Sequence, residues 1–196
     1  INRELNTWNA FFRFCVQMNY IERPPIHKHL KGEHRESRPL RDEELGAIYK
    51  EAVPTLKLAI HIASTLGLRG GEVCNLEWSL IDLNQGVLQV GGSKNFRTKS
   101  GRCKRLPIPP NLLEALKKYK EQSSDNSQWV FPSPTGDAPM DRHSLTRAWA
   151  RARQRAGIKD AKFHDLRSTA GTRFAELGYG DAVIGKLLGH SSPNMA

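Results

Sequence analysis

The 196-residue sequence is short of acidic residues, of cysteine and of long apolar stretches. No apolar run approaches the roughly 20 residues that a membrane-spanning helix needs, so nothing in it reads as a span. The chain opens Ile1-Asn2-Arg3-Glu4, with neither a Met nor an apolar signal segment, and this reads as a fragment boundary, not a targeting peptide. Cys15, Cys74 and Cys103 are odd in number and far apart, which speaks against a disulfide framework. No Cys-x-x-Cys or Cys/His spacing suggests zinc, and reduced thiols in a cytoplasmic protein are the expectation. Asp and Glu number 20 against 30 Lys and Arg, for a net charge of +10. A chain this basic faces a polyanion, because Lys and Arg that neutralise phosphates release condensed counterions. Charge alone does not separate DNA from RNA or acidic lipid. With 38% apolar residues the chain can bury a real core, and its length suits one good-sized domain with part of a second.

Arg3 to Tyr20 reads as an amphipathic helix, because Leu5, Trp8, Phe11 or Phe12, Cys15 and Met18 recur at spacings of three and four. Such an aromatic stripe needs a partner, so residues 1–22 are expected to be the last helix of a domain whose beginning is missing. Residues 23–39 read as an exposed linker, bounded by Arg23-Pro24-Pro25 and Arg38-Pro39 and rich in Lys, Arg and His between them. From residue 40 to residue 196 the pattern is globular. Helices are expected over Asp42–Ala52, Thr55–Leu66 with Gly67 as its stop, Gly70–Leu76, Asn111–Gln122, Arg142–Ala156, Phe163–Leu177 and Asp181–Leu188. Short strands are expected at Val87–Val90 and Arg102–Ile108. His61, among Leu58, Ile60 and Ile62, reads as a packed histidine. The predicted class is α+β, mainly α, with one small antiparallel sheet inserted among helices.

Four segments carry candidate chemistry: Thr65-Leu66-Gly67-Leu68-Arg69-Gly70-Gly71-Glu72, Thr98-Lys99-Ser100-Gly101, His164-Asp165-Leu166-Arg167 and Leu188-Gly189-His190-Ser191-Ser192. Opening a phosphodiester puts extra charge on the nonbridging oxygens of five-coordinate phosphorus. Two guanidinium groups can hold those oxygens with bidentate, charge-assisted hydrogen bonds. Arg69 follows the helix stop at Gly67, so its side chain is free to reach a cleft. Arg167 stands three residues after His164, a spacing that places both on one helix face.

In order and separation the four segments resemble the active-site boxes of the tyrosine recombinases and phage integrases. The resemblance covers Leu40 to the end, and the first helix with its linker resembles the tail of that family's core-binding domain. It implies the helical catalytic domain of those enzymes, with Arg69, Lys99, His164, Arg167 and His190 as catalytic residues and Glu72 as an acid that orients the site. Lys94 and Lys104 stand near the same hairpin as Lys99 and remain alternatives to it. Arg97, Lys94, Arg102, Lys104, Arg151 and Arg153 are candidate DNA contacts, read as backbone anchors or solvated charge. The implied reaction is site-specific recombination of double-stranded DNA for integration or excision of a mobile element, through a 3′-phosphotyrosyl intermediate. It needs no metal or other cofactor, since the arginines supply the positive charge, and it runs in a homotetramer on DNA. The family's nucleophilic tyrosine follows shortly after the last histidine, past Ala196. Tyr20, Tyr49, Tyr119 and Tyr179 all precede His190 and do not match that context, so the 196 residues are expected to lack the attacking group and to be inactive in cleavage. Two other outcomes stay open at this point: a DNA-binding protein without catalysis, and strand relaxation like that of type IB topoisomerases.

Overall fold

Helix α3, Pro54–Leu66, is apolar on nearly every side and forms the centre of the larger of two units. Pro54 sits in its first turn, where a missing N–H costs nothing. Gly67, at φ 66°, ends it in the left-handed conformation. The structure is a computed structural model that describes residues 2–25, 37–96, 103–123 and 127–189. It divides into two compact units, Ile1–Glu36 and Ser37–Ala196.

The first unit holds α1, Asn2–Gln17. Trp8 stacks on Phe12 and meets Phe11 edge-on, each at 5.9 Å between ring centroids, while Cys15 is buried. The helix stops three residues short of the expected Tyr20. Asn19 adopts φ 56° and Tyr20 N–H closes back on the Cys15 carbonyl at 2.9 Å, the left-handed ending that asparagine tolerates.

In the second unit α2 (Asp42–Glu51) packs on α6 (Arg142–Arg155). Helix α3 is flanked by α4 (Gly70–Cys74), α5 (Pro110–Gln122), α6 and α7 (Asp165–Glu176), and α8 (Asp181–Leu188) lies on α7. Strands β1 (Ile81–Asp82), β2 (Val87–Val90) and β3 (Lys104–Pro107) form an antiparallel sheet in that order. β1 is too short to show an alternation and was not expected from the sequence. The register sets Leu88 opposite Leu106 and Val90 opposite Lys104. Leu88, Val90 and Leu106 are buried, so the alternation turns Lys104 towards the core and Arg105 outwards.

Two helices of this unit are shorter than their sequence pattern by two residues or more. α4 ends at Cys74 because Asn75 Nδ2 donates to the Gly71 carbonyl at 2.8 Å, and Leu76 instead accepts a bond from Val130 N–H. α7 begins at Asp165 because residues 162–164 form tight turns, with Asp165 Oδ2 accepting Lys162 N–H at 2.7 Å. The start of the unit is fastened as well. Arg38 makes two bonds to the Glu44 carboxylate at 2.7 and 2.8 Å, and Ser37 Oγ donates to Asp165 at 3.0 Å.

Candidate active site

Arg69 occupies the N-cap position of α4, just past the turn that ends α3. Glu72, three residues on and buried, accepts the Arg69 backbone N–H at 2.8 Å and its guanidinium at 3.0 Å. The first contact is half of a capping box; the second aims the side chain. Arg167 stands in the first turn of α7 and is only 6% exposed. Its guanidinium donates to the Gly67 carbonyl at 2.8 Å and to the Leu188 carbonyl, so one side chain joins the α3–α4 turn, α7 and the end of α8. Burial pushes its pKa down to about 10, helped by the neighbouring Arg69 charge and opposed by Glu72. At neutral pH it remains a cation.

His164 fills the N-cap position of α7 but makes no capping bond through its ring, and it is exposed. Loss of hydration, then the charge of Arg167, holds its pKa below the usual imidazole value despite Asp165. A neutral ring there can accept a proton at neutral pH. His164 precedes the helix by one residue, so its proximity to Arg167 comes from the turn and not from a shared helix face.

Lys104 departs from the expectation of a solvated basic face. Its Nζ donates to the Leu187 carbonyl at 2.7 Å, and burial pushes its pKa down to about 8 with Arg167 and Arg69 adding to the shift and Glu72 opposing it. The structure therefore brings Arg69, Glu72, His164, Arg167 and Lys104 into one electrostatic cluster. Lys94 is exposed in the segment after β2. Arg97, Lys99, Arg102 and His190 lie outside the described residues. Arg151 is exposed on α6, whereas Arg153 is not solvated charge: it is half-buried, donates to the Lys159 carbonyl at 2.7 Å and lines a cavity of about 350 Å³ beside His164. His61 is half-buried and lines a second cavity of about 390 Å³.

The sequence reading passed over two positioning acids. Glu77 is buried and accepts Ser93 Oγ, Asn95 Nδ2 and Ser79 Oγ, which fixes the chain as it leaves β2. Asp165 is fully buried and shapes the turn that carries His164. An acid at the first position of a helix was a visible signal for Asp165; Glu77, beside Trp78 in no motif, offered none. The tyrosines of this unit are engaged elsewhere. Lys57 lies over the Tyr49 ring, Tyr119 bonds Thr55, and Tyr179 meets Phe174 edge-on.

Residues 38–196 match the model of the phage integrase family. The chain is 27% identical over 185 residues to the integrase of Salmonella phage P22, covering 89% of this chain and 46% of that protein. It is 30% identical to the tyrosine recombinase XerA of Thermococcus kodakarensis, over 97% of this chain and 68% of that one. Among solved structures, a lambda integrase dimer bound to a COC' core site superposes with a TM-score of 0.74 at 28% identity, over 97% of this chain and 55% of that chain. The chain spans about half the length of the first curated relatives it matches. With the family model spanning the whole second unit and the relatives agreeing, the chain belongs to the phage integrase family.

Proposed function

We propose that the protein carries out site-specific recombination by cutting and rejoining double-stranded DNA through a 3′-phosphotyrosyl intermediate. The observation that carries this reading is the pairing of Arg69 and Arg167. Two cations stand near enough for the Arg69 charge to lower the pKa of Arg167, one held by a buried acid and the other by two backbone carbonyls. Glu72 offsets one of the two positive charges and leaves the other over, and a phosphodiester acquiring charge at its nonbridging oxygens is an anion suited to it.

In this reaction a tyrosine oxygen attacks phosphorus and the 5′ oxygen leaves. The two arginines and His190 stabilise the five-coordinate state. Lys99 gives its proton to the departing oxygen, and neutral His164 takes the proton of the nucleophile. Religation reverses the steps on another strand, so no ATP is required. The tyrosine belongs downstream of His190 on this reading, and none of the four within the sequence serves. One relative, lambda integrase, has been solved as a tetramer bound to a Holliday junction, and we assign this protein a tetramer on its own target. The site of action is the cytoplasm, where such DNA is available.

The 196-residue chain tests the first half of this account. It should bind duplex DNA with log K falling linearly against log salt, at a slope of about −0.9 per phosphate contacted. With a nicked suicide duplex it should form no covalent adduct. A salt-independent affinity, or an adduct on Tyr49, Tyr119 or Tyr179, would overturn the reading.

A further inference from the structure

Lys104 has no place in the mechanism above, yet its ammonium is buried within the cluster and bonded to a helix-end carbonyl. Strand alternation points it inwards beside Val90 and Leu106. Its Nζ reaches the Leu187 carbonyl in the last turn of α8, and Arg167 takes the next carbonyl, that of Leu188. A helix end leaves its last carbonyls without intrahelical partners, and here two cations satisfy two of them. Gly189, at φ 73°, closes the helix, and the Lys104 side chain passes in ordinary contact range, 3.9 Å from where a β-carbon there would stand.

We propose that Lys104 is a positioning residue: its ammonium ties the carboxyl end of α8 to strand β3, so the points where the chain enters β3 at Cys103 and leaves α8 at Gly189 are fixed together against the Arg69–Arg167 pair. In sequence Lys99 stands shortly before the first point and His190 directly after the second. The inference rests on the recombinase reading for its consequence in catalysis. The tie itself does not depend on that reading.

The tie is also sensitive to pH. The charged groups facing Lys104 are Arg69 and Glu72 from α4 and Arg167 from α7, with the Leu187 carbonyl from α8. Its pKa of about 8 lies below the ordinary 10.5, so the ammonium is fully present only below pH 8 and is lost as pH rises through that value. A bound phosphate raises the pKa, so in the DNA complex the loss shifts to higher pH.

The experiment compares Lys104→Met and Lys104→Arg in the full-length protein. Single-turnover cleavage of a suicide duplex should fall about 10-fold or more in Lys104→Met and recover to within a few-fold in Lys104→Arg, the range seen when an outer partner of a reacting group is removed. DNA affinity should change by less than about threefold, because the phosphate-facing guanidiniums stay. Wild-type cleavage should begin to lose rate at a lower alkaline pH than Lys104→Arg does, the variant's remaining loss belonging to the Lys99 proton. In the DNA-free protein, hydrogen exchange should quicken in the peptide spanning the end of α8 while α3 stays protected. Melting at pH 7 should fall only by the small amount that one carbonyl losing its charged donor brings, and Lys104→Met should stay folded at the assay temperature. Cleavage at the wild-type rate, unchanged exchange at α8, or a loss of melting temperature that accounts for the lost cleavage would each overturn the proposal. A wild-type protein that forms no adduct would instead sink the recombinase reading, and the exchange result alone would then decide the fate of Lys104.

Discussion

Arg167 donates to two carbonyls of its own domain before any phosphate reaches it. Its removal therefore has a structural and a chemical consequence that can be told apart. In Arg167→Ala, two polar atoms lose a charged donor and stability should fall by about 2 kcal/mol, read by urea denaturation. Cleavage by the full-length protein should fall roughly 10²-fold or more at temperatures where the variant is folded, because a guanidinium aimed at developing charge contributes most at the transition state. Arg153→Ala is the contrast. Arg153 is tethered to the Lys159 carbonyl and stands beside the site, so its loss should leave the cleavage rate intact and reduce the salt slope by at most about one phosphate contact. Equal losses of binding and cleavage in both variants would make Arg167 another anchor. A second residue effect concerns acid. The Arg38 guanidinium holds Glu44 at about 2, against an ordinary 4.5. A carboxylate with a depressed pKa adds stability above its unfolded value and loses it as pH falls through the folded one. Allowing for the partial exposure of Arg38, Glu44→Gln should cost about 1–2 kcal/mol at pH 7, and the gap from wild type should close between pH 5 and pH 2.

Among the elements, the helix stops are what place the site. Gly67 and Gly189 both end helices in the left-handed conformation. A β-carbon at Gly67 would also meet Leu188 Cδ2 at 2.3 Å, whereas at Gly189 it meets nothing nearer than 3.9 Å. Gly67→Ala should thus lose about 1 kcal/mol for the backbone and about 1–3 kcal/mol more for overpacking. Gly189→Ala should lose only the first amount, and thermal melts of the two variants decide it. The hairpin offers a chemical test. Cys103 is exposed at the start of β3 while Cys74 is buried with its pKa pushed up to about 11. A thiol reagent should modify Cys103 well before Cys74, and bound duplex DNA should slow that reaction. These elements were unevenly legible. The glycine stop of α3 and the whole of α8 stood out, since apolar periodicity and a terminal glycine coincide there. The beginning of α7 and the end of α4 did not, because side chains of Asp165 and Asn75 capture backbone groups that the periodic pattern assigns to the helix. The direction of Lys104 was not legible for a related reason: it follows from pairing with Val90, and register is a property of two strands and not of either alone.

At the scale of the whole molecule, residues more than 90 positions apart, Arg69 and Arg167, meet because α7 packs on α3 and Arg167 reaches the Gly67 carbonyl. Sequence could pair them only through the resemblance of the boxes, since no local pattern records a tertiary contact. The charge of +10 pointed to a polyanion from the outset, and the chemistry proposed for it rests on the cluster. The fold and the Arg167 contacts are seen in the described residues and the family rests on the match to its model, while Arg69, Arg167, Lys99 and His190 are members of a proposed site. The full-length protein is incubated with a suicide duplex carrying its recognition sequence, beside Arg69→Ala and Arg167→Ala, and the covalent product is digested and mapped by mass spectrometry. A tyrosine downstream of His190 should be found joined to a 3′-phosphate, formed by the wild type and nearly abolished in both arginine variants. A wild-type protein that binds the duplex and leaves every phosphodiester intact, or variants that cleave as well as it does, would contradict the recombinase reading.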